Sequence, residues 1–127
     1  MSTVKAANLQ NTGSGAPTFQ NSSGTEIGQL ARAWVNFDAN GTPSIRDSFN
    51  VSSITDHGTG EYAANYSTAM PNANYCVTGL TQNSNNFLAI NSSDTSNPNT
   101  DYIRVSIRNH DGSNEDGDVV CVCIHGD

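Results

Sequence analysis

The sequence predicts an all-β protein, an antiparallel β-sandwich or jelly-roll-like domain of about seven short strands that follows an extended N-terminal arm. Three observations favour this class. From position 33 onward, apolar residues mostly alternate with polar ones, which is the period of a strand with one buried face. Clusters of Gly, Asn, Asp and Ser separate these segments, as turns do. No segment has the apolar spacing of a convincing helix.

Residues 1–28 are predicted to form an extended docking arm and residues 29–127 the β-sandwich domain. The arm is rich in Asn, Ser and Gly and has few apolar residues, which opposes a packed element. Its side chains Val4, Leu9 and Phe19 are candidate anchors on a neighbouring subunit. A short helical turn is predicted over Glu26–Ala33, with Thr25 as its N-cap.

The first β segments are predicted to pair as a hairpin. In Ala33–Phe37 the odd-numbered residues share one face, and Trp34 lies on the other. An Asn-Gly pair at positions 40–41 is a strong hairpin signal. Ile45–Ile54 is predicted as one strand. Its apolar residues change faces, which indicates a bulge near Val51–Ile54.

Further strands follow, separated by turns and polar loops. They are predicted at Glu61–Ser67, Tyr75–Thr81, Phe87–Asn91, Asp101–Asn109 and Val119–Ile124. The last of these is a near-continuous apolar run, which is typical of a strand covered on both faces. It is therefore expected in the centre of a sheet or at a subunit contact.

Composition excludes several classes of partner. The net charge is −7, and the 5 Lys and Arg residues are spread along the chain. Nucleic acid and anionic membrane surfaces require basic clusters, so neither is an expected partner. No stretch approaches the roughly 20 apolar residues of a membrane helix, and the N-terminus lacks the pattern of a secretory signal. We expect synthesis in a cytoplasm and assembly there into a larger structure.

Charge and aliphatic bulk are both scarce in this chain. Charged residues make up 13% of it, against about 25% in typical globular domains. A small core of this kind favours further burial by oligomerisation.

The three cysteines are interpreted as small core residues rather than as a metal site. They are Cys76, Cys121 and Cys123, and an odd number excludes complete pairing within one chain. Cys121 and Cys123 would share one strand face and would not easily bridge each other. Cys-x-Cys with His125 is an incomplete zinc pattern.

No catalytic motif is present, so the chain is predicted not to be an enzyme and to need no cofactor. His57, His110 and His125 fall in predicted turns or at the terminus. The sequence has no G-x-S-x-G elbow, phosphate-binding loop or H-E-x-x-H helix. An enzyme would require a pocket that gathers one of these histidines with an acid and a nucleophile.

Two features leave a functional and a structural interpretation open. The acidic segment Asp111–Asp118 contains oxygen ligands suited to Ca²⁺ but lacks EF-hand spacing, so a solvated hairpin loop is favoured. Trp34 is suited to stacking on a sugar ring, but packing between elements or subunits is favoured. Tyr62, Tyr66 and Tyr102 are expected to be exposed and pose the same question.

The segment between Trp34 and Tyr75 resembles virion proteins of tailed bacteriophages, above all marine and cyanobacterial ones. The resemblance lies in WVNF, GT, IRDSFNVSSITDHGTGEY and AMPNANY, which occur here in this order at Trp34–Phe37, Gly41–Thr42, Ile45–Tyr62 and Ala69–Tyr75. Such pieces occur in tail-fibre-like and other virion structural proteins. The resemblance implies a subunit on the virion surface, at the tail or capsid, bound to other virion proteins.

The resemblance also implies a homotrimer, since fibre proteins usually trimerise, and we expect Trp34 or Val119–Ile124 near the subunit contact. The loops Ser92–Thr100 and Asn109–Asp118 are candidates for contact with a host surface glycan or protein, although the sequence assigns no receptor-binding residue. The chain has no long fibre shaft, so a capsid decoration or head-fibre protein is the alternative. A cellular carbohydrate-binding module is the alternative from another class.

Overall fold

The structure, a computed structural model, describes residues 3–13, 17–82 and 85–126. It divides into two compact units, Met1–Leu30 and Ala31–Asp127. All regular secondary structure in the described residues is β. These residues include no helix that is long and apolar enough to cross a membrane. The predicted all-β class is confirmed.

The first unit contains a small antiparallel hairpin, β1 (Phe19–Gln20) and β2 (Glu26–Gly28). The Asn21 side chain organises its turn, because Oδ1 accepts hydrogen bonds from the backbone N–H groups of Ser23 at 3.0 Å and Thr25 at 2.9 Å. The predicted helical turn over Glu26–Ala33 is therefore wrong. Eight residues with an internal glycine are a poor helix, and β2 instead gains backbone hydrogen bonds from its strand partner.

The second unit is a β-sandwich of two four-stranded antiparallel sheets. The first sheet has the order β4-β3-β10-β7, and the second has the order β5-β6-β9-β8. The strands are β3 (Ala33–Asp38), β4 (Ser44–Phe49), β5 (Val51–Asp56), β6 (Glu61–Tyr66), β7 (Cys76–Thr81), β8 (Asn86–Ile90), β9 (Tyr102–Asn109) and β10 (Val120–His125). The sandwich thus has eight strands rather than about seven, and β1 and β2 bring the described residues to ten strands in all.

The core lies between the inner faces of the two sheets. Alternation predicted that Val35 and Phe37 share one face of β3, and in the structure both are buried on its inner face. The Phe37 ring meets the Tyr62 ring of the opposite sheet edge-on, with centroids 5.6 Å apart. The central strands β9 and β10 contribute the other large aliphatic side chains of this core, namely Ile103, Val105, Ile107, Val120, Val122 and Ile124.

One strand prediction is wrong in a way that shapes the fold. Ile45–Ile54 is not a single strand, because the chain leaves the first sheet after Phe49 and enters the second at Val51. Between them Asn50 has φ 55°, and its side-chain amide donates to the Thr68 carbonyl at 3.1 Å while Oδ1 accepts from the Thr68 N–H at 2.8 Å. Asn tolerates this left-handed conformation better than most residues. The predicted bulge is confirmed at Val51–Ser53.

The central position predicted for the last apolar run is confirmed. Strand β10 pairs with β3 on one side and with β7 on the other. Its inward residues Val120, Val122 and Ile124 are buried, whereas Cys121 and Cys123 on the outward face are only half-buried. The run is apolar on both faces, and its outward face borders a groove.

Candidate functional site

The outer face of the first sheet carries a continuous row of apolar side chains. Phe49 on β4 and Cys123 on β10 are both cross-strand partners of Trp34, and Cys121 is the partner of Leu80 on β7. Directly opposed residues of antiparallel strands project to the same face, so these five side chains share one surface. We call the hollow beside them the apolar groove. Its volume is about 560 Å³, and Trp34, Asn36, Thr78, Leu80, Cys121 and Cys123 are among its lining residues.

The apolar groove is open to solvent. Of its lining residues, Leu80 is 78% exposed and Trp34 is half-buried, and Phe49, on the same sheet face but outside the groove lining, is 55% exposed. Single exposed apolar residues are normal, but a contiguous apolar patch on one sheet face marks an interaction surface. The described residues that line the groove include no acid and no histidine.

The outer face of the second sheet is polar. Arg104 on β9 forms an ion pair with Glu61 on β6 at 2.8 Å, and both side chains are 19% exposed. The Asn114 amide also donates to Glu61 at 3.3 Å. Burial by itself would raise the pKa of Glu61, but the hydrogen bonds from Asn114 and Arg104 and the charge of Arg104 outweigh it and hold that pKa below its ordinary value.

The Glu61–Arg104 pair predicts a pH dependence of stability. Because folding lowers the pKa of Glu61, the ionised carboxylate stabilises the fold above the ordinary value of 4.5, and this contribution is lost as the pH falls through the folded-state pKa. The melting temperature of E61Q should lie below that of the unmodified protein near neutral pH, and the difference should shrink as the pH falls below 4.5. Thermal melts across this range check it. A difference that stays constant with pH would contradict the assignment.

A smaller hollow lies on the same face of the second sheet. It has a volume of about 240 Å³ and is lined by Thr55, His57, Ala63, Asn65, Asp94 and Tyr102. We call it the polar hollow. Asn65 and Tyr102 are cross-strand partners on β6 and β9, and Ala63, which is 3% exposed, is the most buried part of the lining.

Asp94 is held in the polar hollow by two donors. The Tyr102 hydroxyl donates to Oδ2 at 2.9 Å, and the Ser96 backbone N–H donates to Oδ1 at 2.9 Å. The hydrogen bond from Ser96, and then that from Tyr102, lower the pKa of Asp94. The same contact with Asp94 raises the pKa of Tyr102. Asp94 is thus a fixed, ionised acceptor at physiological pH.

The loop that carries Asp94 is tied down by Asn97. Its amide donates to the carbonyls of Asn91 at 2.9 Å and Arg104 at 2.7 Å, and its Oδ1 accepts from the Arg104 N–H at 3.1 Å. The side-chain amide of Asn97 therefore takes the place of a strand backbone, because it bonds both the carbonyl and the N–H of Arg104 on β9. The predicted contact loop Ser92–Thr100 is anchored on the second sheet, and its Asp94 lines the polar hollow.

The carboxylates of the acidic segment Asp111–Asp118 accept hydrogen bonds from other groups of the protein. Asp116 Oδ1 accepts from the Gly60 N–H at 2.8 Å and from the Tyr62 hydroxyl, and Glu115 accepts from Asn109 at 3.0 Å. Asp118 accepts from the Asn40 amide, and Asp111 accepts from the Ser113 N–H. Among the described residues no group of three or more His, Cys, Asp or Glu side chains is placed to hold a metal ion.

The three histidines lie in three different places in the structure. His57 lines the polar hollow with Asp94, and no serine or cysteine lines that hollow with them. His125 Nε2 lies 3.3 Å from Cys123 Sγ. His110 is exposed in the loop after β9. A histidine and an acid are therefore brought together in one place, but without the serine or cysteine nucleophile of a catalytic triad.

Two expectations about side-chain burial are wrong. The cysteines are not buried core residues, because Cys76 is exposed and Cys121 and Cys123 are half-buried beside the groove. Tyr62 and Tyr66 are not exposed, since they are 1% and 8% exposed. Burial, and next the contact with Asp116, raise the pKa of Tyr62. Tyr62 and Tyr66 lie on one face of β6, and alternation alone does not show whether that face points inward.

Sequence reasoning also missed Leu80 and Phe49 as surface residues. Cys76 and Leu80 share one face of β7, but alternation alone does not show which face of a strand points outward. Alternation within an unbroken Ile45–Ile54 strand would place Phe49 on the same face as Val51, which is buried. The one available signal was Asn50, a residue type that often interrupts strands.

No protein-family model, no curated protein and no solved structure matches this chain.

Proposed function

We propose that this protein is a virion structural protein of a tailed phage, a tail-fibre-like subunit that assembles on the particle as a homotrimer. The observation that carries the proposal is the apolar groove, together with the exposed apolar side chains beside it on the outer face of the first sheet. The sequence resemblance at Trp34–Phe37 and Ile45–Tyr62 supplies the virion context. The groove supplies the assembly surface, which includes Trp34 and the outward side of β10.

Burial of the groove is a strong driving force for assembly. Apolar area removed from water contributes roughly 25 cal/mol per Å², so a buried Leu or Phe side chain contributes about 1.5–3 kcal/mol. Leu80 and Phe49 are the residues with most to gain, because they are the most exposed large side chains of this face. Permanent subunit interfaces are apolar in this way. The net charge of −7 on each chain opposes association at low salt, so added salt should favour it.

The first unit supports a docking role. It presents exposed apolar side chains on little regular structure, with Val4 at 85%, Leu9 at 68% and Ile27 at 67% exposed. Such side chains on a short chain segment are suited to anchoring on a larger surface. In this proposal residues 1–28 join the subunit to another virion protein.

The proposal is tested by locating the protein on purified phage particles. Gold-labelled antibody should mark the tail or its fibres under the electron microscope. Label spread over the head would replace the tail-fibre role with capsid decoration or a head fibre. Absence of label from particles, together with a cellular location, would overturn the virion assignment and favour the carbohydrate-binding module.

A further inference from the structure

We propose that the polar hollow is a binding site for one ring of a neutral saccharide, formed by Asp94, Tyr102, His57 and Asn65. As a contact point for a host surface glycan, this site rests on the proposed function. As a sugar site, it rests only on the geometry of the second sheet.

The size of the hollow selects a small ligand. Its volume of about 240 Å³ is below the roughly 300–1,000 Å³ of pockets for drug-sized molecules. A single sugar ring is of the right scale, with the rest of a chain extending into solvent. The position also suits recognition, because the hollow lies on the outer face of the second sheet, away from the apolar groove on the first.

The chemistry of the lining matches sugar hydroxyls. Asp94 is an ionised acceptor whose two oxygens each retain capacity beyond the bonds from Tyr102 and Ser96. The half-buried Tyr102 supplies an aromatic wall, and aromatic rings pack against the C–H faces of sugars. The exposed imidazole of His57 provides a further polar contact. The Asp94 carboxylate can accept hydrogen bonds from two hydroxyls of a sugar while the adjacent Tyr102 ring packs against the C–H face of the same sugar.

The electrostatics favour a neutral ligand. Asp94 places a negative charge in the hollow, and the whole chain carries a net charge of −7. Both disfavour phosphorylated, sulfated or acidic sugars. Asn65 is held by bonds to Thr55 Oγ1 at 2.8 Å and to Ser53 Oγ at 3.1 Å, so the hollow is largely pre-formed and binding requires little reordering.

One site of this size binds weakly, and trimerisation would compensate. Three copies on one particle engage a repeated surface glycan together, which raises the apparent affinity by about 10²–10⁴ where the spacing permits. A weak single-ring site is therefore consistent with firm attachment by the assembled particle.

The test uses the full chain and a panel of free sugars: glucose, galactose, mannose and N-acetylglucosamine at millimolar concentration. At least one should shift the NMR signals of the Asn65, Ser96 and Tyr102 amides. Y102A and D94N should each weaken that binding by at least about tenfold. D111N is the matched control, because Asp111 is likewise a loop carboxylate bonded to the N–H two residues on, at 3.0 Å, but lies outside the hollow. It should bind like the unmodified protein.

Two results would overturn the site. One is that none of the four sugars shifts these amides. The other is binding that survives in both Y102A and D94N, which would place it elsewhere. Y102F guards against misfolding of Y102A, because it keeps the ring and should retain more binding than D94N. A trimer that binds no sugar would refute the hollow but not the assembly, and a sugar-binding monomer would refute the assembly alone.

Discussion

Substitution of Gly60 by alanine should lower the free energy of unfolding by about 3 kcal/mol or more. Gly60 has φ +69°, a conformation that costs a residue with a Cβ roughly 1–2 kcal/mol. The added Cβ would also lie 2.6 Å from the Ile107 carbonyl oxygen and 2.8 Å from the Glu115 nitrogen. Both obstacles are backbone atoms, so the turn before β6 would have to move away from β9.

The displacement would break bonds on both sides of Gly60. Its carbonyl accepts from the Ile107 N–H at 2.8 Å, and its N–H donates to Asp116 at 2.8 Å. Asp116 also accepts from the buried Tyr62 hydroxyl. The substitution therefore loosens the loop that follows β9 as well as the turn itself.

Gly41→Ala is the matched control for this prediction. Gly41 has φ +63°, nearly the same conformation, but a Cβ there meets nothing within 4 Å. G41A should cost only the conformational part, about 1–2 kcal/mol. Urea unfolding of G60A and G41A separates the cost of the positive φ from the cost of the steric clash at Gly60. Equal losses of unfolding free energy in the two variants would show that the close backbone contacts around Gly60 add nothing to the cost.

The second large effect is expected on assembly. In the unmodified protein, light scattering at micromolar concentration should give the mass of three chains. L80D and F49D should give the mass of one, because a buried, unpaired carboxylate costs far more than the apolar contact it replaces. Both side chains point away from the core, so the melting behaviour of the separated chain should change little.

F87D is the matched control for assembly. Phe87 is 49% exposed, a fraction similar to the 55% of Phe49, but it lies on β8 at the edge of the second sheet. F87D should leave the trimer intact. Thiol labelling gives a second readout, since Cys121 and Cys123 should react more slowly in the trimer than in L80D. A monomeric unmodified protein at micromolar concentration would refute assembly through the groove.

Local pattern was enough to predict most strands. Alternation in Ala33–Phe37 and Asp101–Asn109 predicted which residues share a face, because successive side chains of a strand point to opposite sides. The Asn-Gly turn at 40–41 predicted the β3–β4 hairpin, and continuous apolarity in Val119–Ile124 predicted a central strand. Each of these depends on residues close together in the chain.

The sequence by itself therefore determined the all-β class, the positions of most strands and the pairing of the first hairpin. Only the tertiary structure decided which face of each strand turns inward, which left Tyr62 buried and Leu80 in solvent. It alone decided that the chain changes sheets at Asn50, since that step depends on hydrogen bonds to distant Thr68. It also brought His57, Asp94 and Tyr102 from three separate segments to one hollow. Contacts between residues far apart in the chain depend on how the sheets pack, and local periodicity carries no information about that packing.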